Sequence, residues 1–174
     1  MTRYLAPAAL ILALVGAGCS APAPSDTATP ATSAPASGTP AAAVNHDGRA
    51  IEITGNDTMK FSVTEIKAKP GEKLSVTLVN LGTTPKFSMG HNWLLLTADA
   101  PMDAFLVAAA EAATNDYVPQ NDHKASILAV TKLLGPNERD TVTFTAPATA
   151  GSYPFICSFP GHYQVGMRGM LIVA

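Results

Sequence analysis

The chain has 174 residues, a formal net charge of −2 and apolar residues at 47% of its composition. That length suits one domain able to bury its own core, although an apolar first segment and an alanine-rich tract inflate the apolar share. The near-neutral balance speaks against a nucleic-acid partner, because phosphate binding needs a basic patch. The densest basic group, Lys60, Lys67, Lys69 and Lys73, reads as a solvated strand edge.

Residues 1–19 read as an export address. A short positive start at Arg3 precedes an almost wholly apolar run over residues 5–15, too short for the ~20 residues that span a bilayer. Gly16-Ala17-Gly18-Cys19 resembles the lipobox of bacterial lipoproteins, in which the cysteine is lipidated and becomes the new N-terminus, although Gly16 stands where leucine is usual. Ordinary cleavage near residues 17–21, releasing a soluble periplasmic protein, is the alternative. In the linker over residues 20–44, residues 20–43 are Pro, Ala, Ser, Thr and Gly with one Asp and no large apolar cluster. Such a tract cannot offset its ordering entropy by burial and serves as an extended linker.

From residue 45 to residue 174 the pattern becomes that of a folded domain. Alternating or compact apolar runs at 49–53, 59–66, 74–79, 93–97, 127–134, 141–144, 151–158 and 169–173 predict strands, punctuated by Pro70-Gly71 and Gly135-Pro136-Asn137. Short strands at this spacing predict an all-β, antiparallel Greek-key sandwich or barrel. Residues 102–113 differ. Asp99 is a candidate cap, Pro101 suits a first turn, and Phe105, Ala109 and Ala112 share a face, which predicts one helix packed outside the sheets.

The chemistry is concentrated in Cys157-Ser158-Phe159-Pro160-Gly161-His162-Tyr163-Gln164-Val165-Gly166-Met167 and in Met89-Gly90-His91-Asn92-Trp93. A sandwich of this kind can bring such distant segments to one end. Two imidazoles, a thiolate and a weak axial thioether form a blue-copper donor set: sulfur favours Cu(I), and imidazole tolerates both oxidation states. A zinc site, a Cys–His nucleophile and a structural cysteine remain alternatives. Structural zinc sites, however, usually carry paired thiolates, no oxyanion-hole motif is apparent, and neither the nucleophile nor the structural reading accounts for Met167. If Cys19 is lipidated or removed, Cys157 has no disulfide partner, and ligation to a metal would protect it.

At these residues the chain resembles the azurins and the related auracyanins, within the blue-copper cupredoxins. Gly55-Asn56-Asp57, Pro85-Lys86, Met89 to Trp93, Thr131-Lys132-Leu133, Asp140 to Phe144 and Cys157 to His162 match in order. The resemblance implies a cupredoxin Greek-key β-sandwich with one external α-helix and a single type 1 copper ion. His91, Cys157 and His162 would be its equatorial donors, Met167 its axial donor, and the Gly90 carbonyl a second, weak axial contact. It also implies that Asn92 and Phe159 support the cysteine loop, that Trp93 lies in the core, and that His162 is a partly exposed electron port ringed by Met89, Pro160 and Val165. Four residues separate His162 from Met167, one more than in azurins and similar to auracyanin and plastocyanin. The usual azurin disulfide is missing, and Asn80 replaces a strand histidine that titrates in some azurins.

The expected function is single-electron transfer by a monomer, without enzymatic activity, between redox proteins such as c-type cytochromes or membrane oxidoreductases. Copper delivery or storage in the cell envelope is the alternative. The expected location is the bacterial periplasm, anchored to a membrane through Cys19. His46 and His123 are expected to be solvated loop residues rather than ligands.

Overall fold

The computed structural model describes residues 47–174, Asp122 by its backbone alone; the leader, the linker, Cys19 and His46 lie outside the described residues. The strands are β1 (Arg49–Gly55), β2 (Glu65–Ala68), β3 (Lys73–Asn80), β4 (Leu94–Leu96), β5 (Ile127–Val130), β6 (Arg139–Thr145), β7 (Gly151–Ile156) and β8 (Arg168–Val173). Two helices join them, α1 (Lys86–Met89) and α2 (Met102–Glu111). One sheet has the order β1-β3-β6 and the other β2-β8-β7-β4-β5. No helix among the described residues is long and apolar enough to cross a membrane.

Alternation explains how the first sheet closes on the core. Leu74, Val76 and Leu78 of β3 are fully buried and pack in one cluster with Ile53, Trp93, Leu95, Phe155 and Leu171. The other face of β3 carries Ser75 and Thr77, whose hydroxyls pair with Thr143 and Thr141 of β6 at 2.7 Å, so polar side chains are buried there with partners. Trp93 packs between Phe144 and Phe155, with ring centroids 5.8 and 5.5 Å away. The Leu-Leu-Leu run of β4 is buried on both faces because α2 covers the outer one. Leu94 and Leu96 pack with Phe105, Ala109 and Ile156, while Leu95 faces the main core. The external helix and its Phe105–Ala109 face are thus present as expected.

Several local expectations are corrected. The sheets are mixed, since β1–β3 and β2–β8 run parallel. The chain visits the second sheet through β2 before the turn at Gly71 (φ 75°) returns it to the first, so β3 runs in the direction of β1. The 59–66 run is not one strand. Met59 is left-handed (φ 55°) and Phe61 bridges back to Gly55, which folds residues 55–61 into a tight loop and delays β2 to Glu65. In the 127–134 run, β5 stops at Val130 and Leu134 makes an isolated bridge to His91. Pro101, rather than Asp99, occupies the N-cap of α2, which ends at Glu111. Helix α1 was not anticipated. The four lysines of the basic group are exposed as expected, although they do not share one strand: Lys73 pairs with Asp47, Lys67 with Glu65, and Lys60, outside any strand, bonds to the Val165 carbonyl.

Where β1 begins, Arg49 bonds to Glu72 at 2.6 Å and also to the Lys67 carbonyl, while Glu72 accepts from the Lys69 amide at 2.8 Å. The Arg49 hydrogen bond, then the Lys69 amide, hold the Glu72 carboxyl below its ordinary range. Charges, rather than a cross-link, fasten this corner. At the other end of β3, buried Asn80 donates to the Leu134 carbonyl (3.1 Å) and accepts from the Gly82 amide (2.8 Å). It thereby steadies the segment that bridges His91.

Candidate metal centre

The far ends of β1, β7 and β8, with the segment before β4, bring the donor residues together. His91 Nδ1, Cys157 Sγ and the His162 ring lie with their donor atoms all within 4.8 Å of one another. His91 Nδ1 is 3.2 Å from His162 Nδ1, which is 3.4 Å from Cys157 Sγ. His91, Cys157 and Met167 are fully buried, and His162 is 2% exposed.

Backbone hydrogen bonds hold this geometry. His91 exchanges both its main-chain bonds with Leu134 (3.1 and 2.8 Å). The His162 amide donates to the Phe159 carbonyl (3.1 Å), Met167 to His162 (2.9 Å) and Cys157 to Met167 (3.0 Å), so three of the donor residues are linked through their own main chain. Asn92 joins the segments. Its Nδ2 donates to the Asp116 carbonyl and to Ser158 Oγ, both at 2.9 Å, and its Oδ1 accepts from the Ser158 amide at 2.9 Å. Ser158 Oγ donates in turn to the Tyr117 carbonyl at 2.7 Å.

The electrostatics suit a soft cation. Burial pushes the Cys157 thiol up to about 12. Burial, and then the neighbouring His91, hold His162 down to about 4, and burial also lowers His91. Both imidazoles are therefore neutral at pH 7, with lone pairs to offer. His91 Nε2 lies 3.0 Å from the Asn56 carbonyl and must donate to it, which leaves the Nδ1 lone pair facing the cluster. A bound cation would repay the cost of forming the Cys157 thiolate, with release of a proton. Among the described residues no carboxylate joins the cluster, so its side-chain donors are nitrogen and sulfur.

The structure refines the sequence expectations residue by residue. Phe159 is 9% exposed and stacks against His162 at 4.6 Å and Tyr117 at 4.8 Å, so it packs inward. His162 lies beneath that lid and is buried, not partly exposed. Met89 is half-buried, Pro160 is exposed, and Val165 is 46% exposed. Gly90 is tightly enclosed, since a Cβ there would come within 2.7 Å of the Lys86 carbonyl. His123 is not a ligand; it is half-buried, edge-on to Phe105 at 6.0 Å. Sequence reasoning assigned no role to Asn56, whose contribution is a carbonyl that side-chain identity cannot reveal. Gly55 was another omission: a Cβ there would lie 2.7 Å from Met167 Cε and 3.4 Å from His91 Cδ2. Phe87, 82% exposed on α1 two residues before Met89, also went unread, though its place in the Pro85–Met89 segment was a signal.

Residues 49–174 match the model of the copper binding proteins of the plastocyanin/azurin family. The chain belongs to that family. Azurin of Pseudomonas denitrificans is 39% identical over 124 residues, 70% of this chain and 94% of that protein. Outer membrane protein H.8 of Neisseria gonorrhoeae is 38% identical over 115 residues, 65% of this chain and 61% of that protein. Among solved structures, dithionite-reduced auracyanin of Roseiflexus castenholzii superposes with a TM-score of 0.64 at 32% identity, over 72% of this chain and 96% of that one. The cupredoxin sandwich with a His–Cys–His cluster is consistent with one type 1 copper ion as cofactor.

Proposed function

We propose that the protein carries single electrons between membrane-associated or periplasmic redox partners, without catalysing a reaction of its own. His91, Cys157, His162 and Met167 would hold one copper ion, with the Gly90 carbonyl a weaker contact. A copper ion held there supplies a one-electron couple.

The observation that carries this reading is the buried His91–Cys157–His162 cluster. Neutral imidazoles and main-chain bonds among the donor residues let the site keep its shape when its charge changes by one, which lowers the rearrangement each transfer demands. Burial also works against rapid metal exchange, so delivery or storage is the weaker reading. Exposed Pro160 and Val165 with half-buried Met89, each within three residues of a candidate donor in the sequence, offer apolar groups for brief docking of redox proteins such as c-type cytochromes or membrane oxidoreductases. The leader over 1–19, lipidation at Cys19 and the 20–44 linker complete the proposal: a domain from residue 45 tethered to a membrane in the bacterial envelope.

Addition of Cu(II) to the protein tests the core of this reading. An intense blue band, lost in Cys157→Ser, is the expected result. Tight Cu(I) or Zn(II) binding without that band would replace electron transfer with metal handling.

A further inference from the structure

The four-residue segment between His162 and Met167 needs something to hold it, because its residues belong to no strand or helix. Local bonds close part of it. Val165 donates to the Gly161 carbonyl (3.2 Å) and Gly166 to the Tyr163 carbonyl (3.0 Å). Gly161 and Gly166 take positive φ values of 85° and 101°, which lets the chain double back in so short a span. The Val165 carbonyl faces outward and accepts from the Lys60 ammonium, a residue 105 positions earlier.

The base from which Lys60 reaches is itself fixed. Lys60 lies in the 55–61 loop, closed by the Gly55–Phe61 bridge and by the Met59 amide donating to the Asn56 carbonyl at 2.9 Å. The same loop places Gly55 against the Met167 methyl and the Asn56 carbonyl against His91 Nε2. Asp57, bonded to the Thr83 amide and hydroxyl at 2.9 Å each, ties the loop to the segment before α1. Position 166 lies beside the ammonium, since a Cβ there would come 2.6 Å from Lys60 Nζ, while its positive φ is what calls for glycine.

From this geometry we infer that Lys60 is a positioning residue of the metal centre. Its ammonium pins the Val165 carbonyl, two residues before Met167, to the loop that also carries Gly55 and Asn56. The place of the thioether relative to the two imidazoles is thus set by one rigid element. The inference rests on the copper reading for its electronic consequence but not for the clamp. The ammonium also adds a positive charge beside the site, which favours the reduced state.

Lys60→Met keeps the length of the side chain and removes both donor and charge; Lys60→Arg keeps both. Both are compared with the unaltered full chain. In the metal-free protein, Lys60→Met should speed hydrogen exchange at the amides of residues 165–167 about tenfold, the loss expected for one charge-assisted hydrogen bond, and Lys60→Arg should restore protection. With Cu(II) added, Lys60→Met should change the intensity ratio of the charge-transfer bands and lower the reduction potential, while Lys60→Arg stays close to the unaltered chain. Unchanged exchange in Lys60→Met overturns the clamp. Faster exchange with an unchanged spectrum and potential overturns its role at the metal. Absence of a blue band in the unaltered chain sinks the copper reading instead, and the metal-free exchange still decides the clamp.

Discussion

The two ends of strand β1 are built on opposite principles. At Arg49 the strand is fastened by solvated charges: Arg49 with Glu72, and Lys73 with Asp47. At Gly55 it abuts a buried cluster in which, among the described residues, no carboxylate takes part and the imidazoles are neutral. Exposed ion pairs lose to water most of what they gain from each other, so the first end can vary its side chains at little cost. At the second end each group is desolvated, and its geometry is enforced by packing and main-chain bonds. The contrast explains why donor residues separated by 66 positions or more can meet reproducibly at one end while the other dispenses with a cross-link.

Breaking the buried end should produce the largest effects. Cys157→Ser should abolish the blue band in visible absorption, since no other described thiol can replace that donor. Acid should be the next lever on the metal-free protein. The folded-state value of His162 lies below its ordinary one, so the unfolded chain takes up a proton first. The His162 contribution is full above about pH 6.5 and falls as pH drops toward about 4, by about 1.4 kcal/mol per pH unit at most for this one group; His91, also lowered by burial, weakens the fold in the same direction. Thermal melts across that range should show the decline, and His162→Gln should reduce its slope, leaving the part due to His91. The carboxylates of Asp57 and Glu72, also held low, contribute only in a more acid window.

Asn92→Ala should follow. It leaves the buried Ser158 amide without its acceptor, a loss of about 2–3 kcal/mol in urea titrations. Gly55→Val should cost about 1–3 kcal/mol by overpacking. It should also alter the Cu(II) electron paramagnetic resonance spectrum, because the added carbons would displace Met167 and the His91 ring. The solvated end supplies the smallest effect and the sharpest contrast. Arg49→Ala should leave absorption and potential unchanged and barely move the melting midpoint; a clear spectral change would show that the ends are coupled.

The sequence alone determined a good deal. Alternating apolar runs announced an all-β domain, and the apolar face of residues 102–113 announced one outer helix. The spacing of Cys157, His162 and Met167, with distant His91, pointed to candidate donors, because metal chemistry depends on side-chain identity and identity is what a sequence records; of these the fold gathers His91, Cys157 and His162 in one cluster. Tertiary structure decided what depends on direction and on main-chain atoms. The parallel course of β1 with β3 follows from the path through the second sheet, which no local pattern encodes. The burial of His162 under Phe159, the tautomer that the Asn56 carbonyl imposes on His91 and the space that Gly55 leaves for Met167 are contacts between segments far apart in the chain. Lys60, which as a residue in a basic run looked like a solvated edge, became a clamp only once the fold set it beside Val165.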